Sequence, residues 1–585
     1  MHRSRRLMVV GAAVLVVAAC APVGGIPPST TEAASTTTTA TVAQPQRRGV
    51  VVGLGTVGSP RTLNPLLDGP DTAVLDLLAP AMFATGWRPD PATQEPVPHV
   101  LADLPTVANG GIVDRGDGTI DVEVAVAPDA VWGDGVPMSG RDLEFTYQLA
   151  VDPSNAVRSD VRARYDLIVP GSMRADGRTV SFRMQASHEV SRLFDIVVPE
   201  HQVAGSDFTA DWNDTTWVSG GPFAVESWMP GQYLELVAND SYWVTDPAGG
   251  TLPRLDRVVV RFFETGATVD PRLLDRFAVE DLDVAVIPDA QANLEAYGEI
   301  GPAEIQSASV PSLGWEALVF QFGPRNRNAD SLNRHVEYRR AVAHAIDRNR
   351  LAASRGTDGI TSVLAPYLPA RSDDPWAQYE YDPGVSAGLL EELGDRLGRD
   401  LLRSDRPRLV LTTSSGSPAT VATAGEVVVM LEEAGIAAEL QLESAALFFG
   451  ATLDSGTWDL GAFRYEAGAG TAAAVAFLRL FDPDGVPFVG SNFARWGTVD
   501  STVADGATGR YADTIDELAA AVDPDDTGAL LRRAETLLAG QVVLIPLVRH
   551  GTVGMAWWGD QVVGPAPSPA GGPFWNLEEW ADPLE

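Results

Sequence analysis

Two hydrophobic periodicities alternate along this chain and predict a mixed α/β protein. Residues 223–227 and 233–237 alternate in side-chain character on either side of Pro230-Gly231, which predicts two strands joined by a tight turn. Another alternating run starts at Val122 and leads into a helix. Ser139 can cap that helix, because its hydroxyl can accept a hydrogen bond from the first turn.

The second half of the chain combines both periodicities. Residues 334–350 repeat apolar side chains at helical spacing, and residues 541–548 form a continuous apolar run typical of a buried strand. Between them, residues 409–412, 420–434 and 438–442 read in turn as strand, helix and strand. This order predicts a β-α-β unit, so at least one lobe is α/β.

The first 48 residues have a different character. Three arginines precede an apolar run at residues 7–19 that is too short to span a bilayer but suits a signal peptide, predicted as residues 1–20. The run ends at Cys20, the one cysteine of the sequence, in a pattern that resembles a bacterial lipobox with a lipidated cysteine. Residues 21–48 are rich in Pro, Ser, Thr and Ala and predict a disordered tether.

Composition excludes several functions. The formal net charge of −36 argues against nucleic-acid binding. All 42 basic residues are arginines, so a phosphate-loop lysine, a Schiff base and a Ser-x-x-Lys centre are excluded. Because Cys20, the single cysteine, is assigned to the lipobox, no cysteine remains to act as a nucleophile or a metal ligand.

The remaining residue types give little support for catalysis. His188 begins a near match to a zinc-protease helix, but Arg192 stands where the second ligand is needed. The pattern Gly-x-Ser-x-Gly occurs once, at residues 384–388, but there it lies in a segment predicted to be helical after Asp382-Pro383 and not at the strand-to-helix turn of a nucleophile elbow. We therefore predict that the chain is not an enzyme and has no metal or other cofactor.

Several segments, in matching order, resemble one family. They are Trp132-Gly133-Asp134-Gly135 before the Ser139 cap, Gly221-Pro222-Phe223 with Asn239-Asp240-Ser241-Tyr242-Trp243, Arg340 with Asp347-Arg348, and Trp575-Asn576 with Glu579-Trp580. These resemble the signatures of the extracytoplasmic solute-binding proteins of dipeptide, oligopeptide and nickel uptake systems. The resemblance runs from about residue 50 to the end.

The resemblance implies an α/β fold of the periplasmic-binding-protein-like type II (cluster C). Two ligand-holding lobes would be joined by a hinge near residues 310 and 540, with a third lobe inserted. By resemblance, lobe I comprises residues 49–91, 215–310 and 539–585, the inserted lobe residues 92–214, and lobe II residues 311–538.

The resemblance also suggests residues at the ligand cleft. The candidates are Leu63, Asn64, Pro65, Trp132, Trp217, Gly220, Gly221, Arg464, Tyr465 and Glu466. The first seven can equally serve as core and turn residues. The last three can equally form a solvated loop of mixed charge.

One position departs from the family pattern. In the segment that corresponds to residues 456–470, peptide-binding relatives carry an aspartate that pairs with the ammonium group of the bound peptide. When the patterns are aligned on Asp459, Gly468 occupies the position of that aspartate. A buried ammonium without a carboxylate costs several kcal/mol. Either Glu466 substitutes from another position, or the protein does not select peptides with a free amino terminus.

The function implied is that of a solute receptor. A monomeric receptor, anchored through Cys20 on the outer face of the cell membrane, would capture a small polar solute, peptide or peptide-like, and deliver it to an ABC permease with its ATPase. The alternative is a lipoprotein of the same fold that regulates lipoglycan synthesis in the cell envelope.

Overall fold

The computed structural model describes residues 49–56, 58–67, 72–265, 268–288, 291–301, 303–323, 331–371, 374–465, 470–485, 490–497, 506–549 and 552–583. The strands are β1 Gly49–Gly55, β2 Trp87–Pro89, β3 Pro96–Pro98, β4 Ile112–Asp114, β5 Thr119–Ala125, β6 Arg174–Asp176, β7 Thr179–Gln185, β8 Phe223–Met229, β9 Tyr233–Ala238, β10 Arg257–Thr265, β11 Thr268–Val269, β12 Val284–Pro288, β13 Ile305–Pro311, β14 Trp315–Phe320, β15 Arg408–Ser414, β16 Ala437–Glu443, β17 Leu460–Tyr465, β18 Leu544–Arg549 and β19 Thr552–Trp558.

The α-helices are α1 Thr72–Met82, α2 Gly140–Val151, α3 Ser159–Tyr165, α4 Glu200–Val203, α5 Arg272–Ala278, α6 Gln291–Gly298, α7 Val336–His344, α8 Arg348–Arg355, α9 Pro383–Leu397, α10 Pro418–Glu433, α11 Leu453–Ser455, α12 Gly470–Arg479, α13 Ala507–Ala520 and α14 Pro524–Gln541. Short 3-10 helices lie at His188–Arg192, Leu332–Arg334, Pro375–Gln378 and Leu577–Glu579, and a π-helical turn lies at Leu447–Thr452.

The first sheet has eight strands in the order β13-β19-β12-β1-β10-β9-β8, with β11 added to β10. β1 is parallel to both of its neighbours, β10 and β12. Its apolar residues suit a strand covered on both faces, and Val52 and Leu54 are buried in the larger of two flanking cores. The predicted hairpin is confirmed, since β8 and β9 pair antiparallel around Gly231.

A four-stranded antiparallel sheet, β4-β5-β7-β6, lies within the predicted inserted lobe. Its inward side chains join the same large core as β1. The predicted cap of α2 is confirmed, because the Ser139 hydroxyl accepts from the N–H of Arg141 and Asp142 closes a capping box. The β2–β3 hairpin spans the predicted boundary at residue 91.

The second sheet has five strands in the order β16-β15-β17-β14-β18. The predicted β-α-β unit is confirmed as β15, α10 and β16, with the two strands parallel. The strand expected from residue 541 begins three residues later, at Leu544, because α14 continues to Gln541 and ends on Val542 with φ of 47°. The predicted boundary at residue 538 therefore falls inside α14.

The chain passes between the two sheets twice. β13 of the first sheet leads through residues 312–314 into β14 of the second, and β18 of the second leads back into β19 of the first. Residues 47–585 form one compact unit. No helix in the described part of the chain is both long and apolar enough to cross a bilayer.

Candidate ligand-binding site

In both large sheets, the carboxyl ends of the parallel strands lie on the side where the chain crosses to the other sheet. β1, β10, β12 and β13 run in one direction, so their carboxyl ends lie at the edge from which the chain leaves for β14. In the second sheet, the carboxyl ends of β15, β16, β17 and β18 lie where β14 begins. The link from Pro311 to Trp315 spans at most about 14 Å. Ligands of open α/β sheets bind outside such carboxyl ends.

Aromatic side chains occupy the second-sheet edge. Trp315 is 3% exposed and stands opposite Tyr465 in the β14–β17 pair. Their ring centroids are 5.1 Å apart, and Phe477 of α12 meets Trp315 edge-on at 5.0 Å. Burial raises the pKa of Tyr465 above its usual value. The predicted residue Tyr465 thus belongs to an aromatic cluster at this edge.

A buried carboxylate lies behind this cluster. Glu316 is 1% exposed and accepts hydrogen bonds from the hydroxyls of Thr420, at 2.7 Å, and Thr423 in the first turns of α10. Its charge suits the positive end of that helix. Arg464 stands opposite Glu316 in the strand register, and its side chain is exposed. Glu316 therefore holds α10 against the sheet rather than facing a solute.

Arg549, at the end of β18, has an unusual environment. It pairs with Trp315 in the strand register and is only partly exposed. Its guanidinium has no hydrogen bond or ion pair to any residue in the described ranges. Burial and the nearby charge of Arg371 lower its pKa, while Tyr367 and Asp358 oppose this. An arginine stays protonated in such a setting, so the sheet edge carries a positive charge that no carboxylate of the described residues hydrogen-bonds.

The predicted residues Leu63, Asn64 and Pro65 lie in the protein interior. The amide of Asn64 donates to the carbonyl of Phe208 at 3.3 Å, and its oxygen accepts from the N–H of Leu66 at 3.1 Å. The N–H of Leu63 donates to the carbonyl of Asn213 at 2.8 Å. These bonds fix the loop after β1 against residues 208–213.

Trp132, Trp217, Gly220 and Gly221 join the same interior region. Trp217 stacks on Phe208, with centroids 6.2 Å apart. A Cβ added to Gly220 would lie 2.9 Å from the Trp132 ring, and one added to Gly221 would lie 2.9 Å from the carbonyl oxygen of Ala81. The structure thus brings these residues and Asn64 into one packed region. Their role as ligand contacts stays a prediction.

Further contacts join the inserted lobe to the second lobe. The hydroxyl of Thr471, at the start of α12, donates to Glu95 at 2.9 Å. Nε2 of His188 lies 2.9 Å from the carbonyl oxygen of Leu518, so this nitrogen carries the proton. Burial lowers the pKa of His188, which favours the neutral imidazole. The histidine of the zinc-protease near match therefore makes an interlobe contact.

With this geometry established, comparison with known proteins identifies the family. The model of the bacterial extracellular solute-binding proteins, family 5, matches residues 122–485, more than half of the chain. The chain belongs to this family. Proteins of this family bind solutes for transport, which confirms the prediction that this solute-binding protein is not an enzyme.

Curated relatives are distant. An ABC transporter peptide-binding protein of Brucella ovis is 24% identical over 319 residues, which cover 52% of this chain and 54% of the relative. The solute-binding protein therefore spans about half the length of this relative. A lipoprotein of Mycobacterium tuberculosis is 23% identical over 520 residues, which cover 80% of this chain and 85% of that protein.

Solved structures share the fold. A periplasmic EDTA-binding protein, EppA, superposes with a TM-score of 0.70 at 21% identity, covering 92% of this chain and 97% of that one. The predicted type II fold of the solute-binding protein is thereby confirmed.

Sequence reasoning missed two residues of the sheet edge and named two that cannot be placed. Trp315 and Arg549 belong to no recognised motif. Trp315 stands at the start of one apolar run and Arg549 directly after another, both near the predicted hinge. Glu466 and Cys20 of this solute-binding protein lie outside the described residues. Their predicted roles stay predictions.

Proposed function

We propose that the chain is the receptor of an ABC importer and captures a small polar solute, peptide or peptide-like, between its two large sheets. One observation carries this proposal. The carboxyl ends of the strands in both sheets lie where the chain crosses between them, and the second sheet presents Trp315, Tyr465 and the charge of Arg549, which has no hydrogen-bonded carboxylate among the described residues.

The charge of Arg549 favours a solute that carries a carboxylate. A guanidinium binds a carboxylate through two parallel hydrogen bonds, and a bound carboxylate would supply the partner that the described residues do not. The aromatic rings beside it suit the apolar parts of a peptide. The Brucella relative is named as peptide-binding and the EDTA-binding neighbour takes a polycarboxylate, so both are compatible with such a solute.

Capture would proceed by closure of lobes I and II. The lobes are those expected from the sequence, and the hinge lies near residues 310 and 540. A solute drives closure only when it binds the closed state better than the open state. In this proposal the receptor acts as a monomer and is held at the outer face of the cell membrane by a lipid on Cys20. It delivers the solute to a permease with its ATPase.

Native mass spectrometry of residues 49–585, purified without denaturation, tests the receptor proposal. A co-purified peptide series would support peptide capture and direct attention to Glu466 as the ammonium partner. A discrete non-peptide acid would support the carboxylate preference alone. A protein that is empty and gains no thermal stability from peptide or organic-acid libraries would contradict the proposal.

A second candidate is regulation of lipoglycan synthesis by a lipoprotein of this fold. The mycobacterial relative, 85% of which aligns with this chain, is named only as a lipoprotein, which is compatible with this candidate and with the receptor alike. A co-purified glycolipid in the same experiment would favour it. Labelling of the full-length protein with a radioactive fatty acid, lost in Cys20→Ala, tests the lipid anchor for both candidates.

A further inference from the structure

A hydrogen-bonded network lies at the base of the β2–β3 hairpin. His99, which directly follows β3, is partly buried. Its Nε2 lies 3.0 Å from the hydroxyl of Tyr242, and its Nδ1 lies 3.0 Å from the carbonyl oxygen of Thr85. The guanidinium of Arg88 in β2 donates to the same Tyr242 hydroxyl at 3.1 Å and to the carboxylate of Glu578. The network therefore joins the hairpin to the segment after β9 and to the 3-10 helix Leu577–Glu579.

The partners of His99 suit a neutral imidazole. A carbonyl oxygen only accepts, so the ring nitrogen that faces the carbonyl of Thr85 carries the proton. A guanidinium only donates, so the Tyr242 hydroxyl accepts from Arg88 and is left to donate to Nε2 of His99. Each donor of this arrangement then has an acceptor.

A second proton on the ring would disrupt this arrangement. Nε2 and Arg88 would both donate to one hydroxyl oxygen, and the hydroxyl proton of Tyr242 would lose its acceptor. The imidazolium would also lie near the guanidinium of Arg88, whose carboxylate partner is Glu578. Trp243, which stacks on the ring with centroids 5.5 Å apart, brings no charge. Burial and then the charge of Arg88 accordingly lower the pKa of His99.

The tip of the same hairpin contacts the start of α12. The hydroxyl of Thr471 donates to the carboxylate of Glu95 at 2.9 Å. A Cβ added to Gly470 would lie 3.3 Å from the carbonyl oxygen of Gln94, so the backbones also approach closely. The base of the hairpin thus depends on a group that titrates, and its tip meets the second lobe.

We propose that His99 is an acid-sensitive switch whose protonation detaches the β2–β3 hairpin and releases its contact with α12. In the detached hairpin the imidazole is in water and binds a proton with its usual pKa of 6.5, whereas the attached hairpin disfavours that proton. Attachment is therefore fully favoured above pH 6.5. It weakens as pH falls below that value, by up to about tenfold for each pH unit.

Detachment has a consequence for the arrangement of the lobes. The hydrogen bond between Thr471 and Glu95 joins the hairpin to the second lobe, so its loss favours a more open state. For solute capture this consequence rests on the proposed function. The detachment itself does not, because it needs no solute.

Hydrogen exchange with mass spectrometry on residues 47–585, which form one compact unit, tests the switch without any solute. Protection factors, which correct for the intrinsic pH dependence of exchange, are compared at pH 7.5 and pH 5.5. Those of peptides covering residues 86–99 are expected to fall about tenfold, because the detached state gains a proton over this range. Protection of α10 should stay unchanged, which separates local detachment from a general loss of stability.

One variant, one control and one direct titration assign the effect. His99→Gln keeps a side chain that can accept from Tyr242 but does not titrate, so its hairpin should be equally protected at both pH values. His201 is exposed and binds Asp134, so His201→Gln should retain the tenfold fall. NMR of selectively labelled histidines should show a His99 ring that is neutral at pH 6.5, with the proton on Nδ1. A fall that persists in His99→Gln, an equal fall in α10, or a His99 ring that is half protonated at pH 6.5 would overturn the proposal.

Discussion

At the residue scale, the buried arginines near the second sheet differ in what their guanidinium groups bind. Arg339 is 1% exposed and donates to the carbonyls of Gln541 and Asn333, and Arg348 donates to three carbonyls. Residues 334–350, predicted as one helix, thus form α7 and α8 with a break at residues 345–347, and these two arginines bind backbone carbonyls, as the interpretation of this segment expects. Arg549 differs, because it has no such partner in the described ranges.

Replacing Arg549 by Met separates its role in binding from its role in stability. A hydrogen-bonded charge contributes about 1.5–3 kcal/mol, so affinity for a carboxylate-bearing solute should fall roughly 10- to 150-fold. Because this half-buried charge has no ion-pair partner among the described residues, its removal should leave the free energy of unfolding unchanged or higher. Calorimetry with the co-purified solute and urea unfolding check both.

Arg350→Met is the matched control for Arg549→Met. Arg350 forms an exposed ion pair with Glu433 on the same lobe, so its loss should leave solute affinity unchanged. Equal affinities of Arg549→Met and the unsubstituted protein would show that Arg549 does not contact the solute.

Glu535 makes stability depend on pH. Burial raises its pKa to about 7, against hydrogen bonds from Ser362, at 2.5 Å, and from the N–H of Val363, at 2.8 Å. In the unfolded chain, the carboxyl group of Glu535 has its usual pKa of 4.5. The stabilising contribution is therefore complete below pH 4.5 and lost as pH rises through 7, by about 3 kcal/mol.

Glu535→Gln should remove this part of the pH dependence. Urea unfolding at pH 5 and pH 8 measures it, and the exposed Glu391→Gln controls for the loss of one charge. If Glu535→Gln and the unsubstituted protein lose the same stability between the two pH values, burial does not dominate the pKa of Glu535.

At the scale of elements, two glycines directly before β8 allow the β8–β9 hairpin to pack closely against the rest of the protein. Gly220 and Gly221 let the chain before β8 lie against residues at the end of α1 and after it, where a Cβ has no space. The same two glycines were predicted as ligand contacts. The close approach of backbone to helix is a sufficient reason for their residue type.

Gly220→Ala should lower the free energy of unfolding by about 1–3 kcal/mol. The added Cβ would lie 2.5 Å from Cβ of Ala84 and 2.8 Å from the end of Met138. Gly425→Ala is the control, because its Cβ meets nothing within 4 Å inside α10. It should raise stability by about 0.5–1 kcal/mol. Urea unfolding distinguishes the two signs, and a neutral Gly220→Ala would refute the close packing.

At the scale of the whole molecule, the inserted lobe contacts the second lobe through side chains far apart in sequence. His188 reaches Leu518 and Glu95 reaches Thr471. The proposed closure would therefore involve the predicted inserted lobe as well as the two large sheets.

His188→Leu should loosen this contact. The loss of one hydrogen bond, about 0.5–1.5 kcal/mol, should speed amide hydrogen exchange roughly two- to tenfold in both the 188–192 turn and the end of α13. His201→Leu is the control, since His201 binds Asp134 within its own part of the molecule. Unchanged exchange in α13 would mean that the contact does not hold the lobes together.

The sequence by itself determined the family, the α/β fold type and the local elements. Capping at Ser139, the turn at Gly231 and the β-α-β unit around α10 depend on neighbours within a few residues, and such neighbours are visible in a linear pattern. The predicted start of a strand at residue 541 failed because helix and buried strand share the same apolar composition.

Only the tertiary structure decided which side chains meet. Trp315 pairs with Tyr465, 150 residues later, and with Arg549, 234 residues later, and Gln94 meets α12 across nearly four hundred residues. Packing also placed Trp132, Trp217 and Asn64 in the interior. The amide of Asn64 binds a backbone carbonyl there, whereas the indole N–H groups of Trp132 and Trp217 are buried without an acceptor among the described residues. Such contacts depend on the register and direction of distant strands, which local periodicity does not encode.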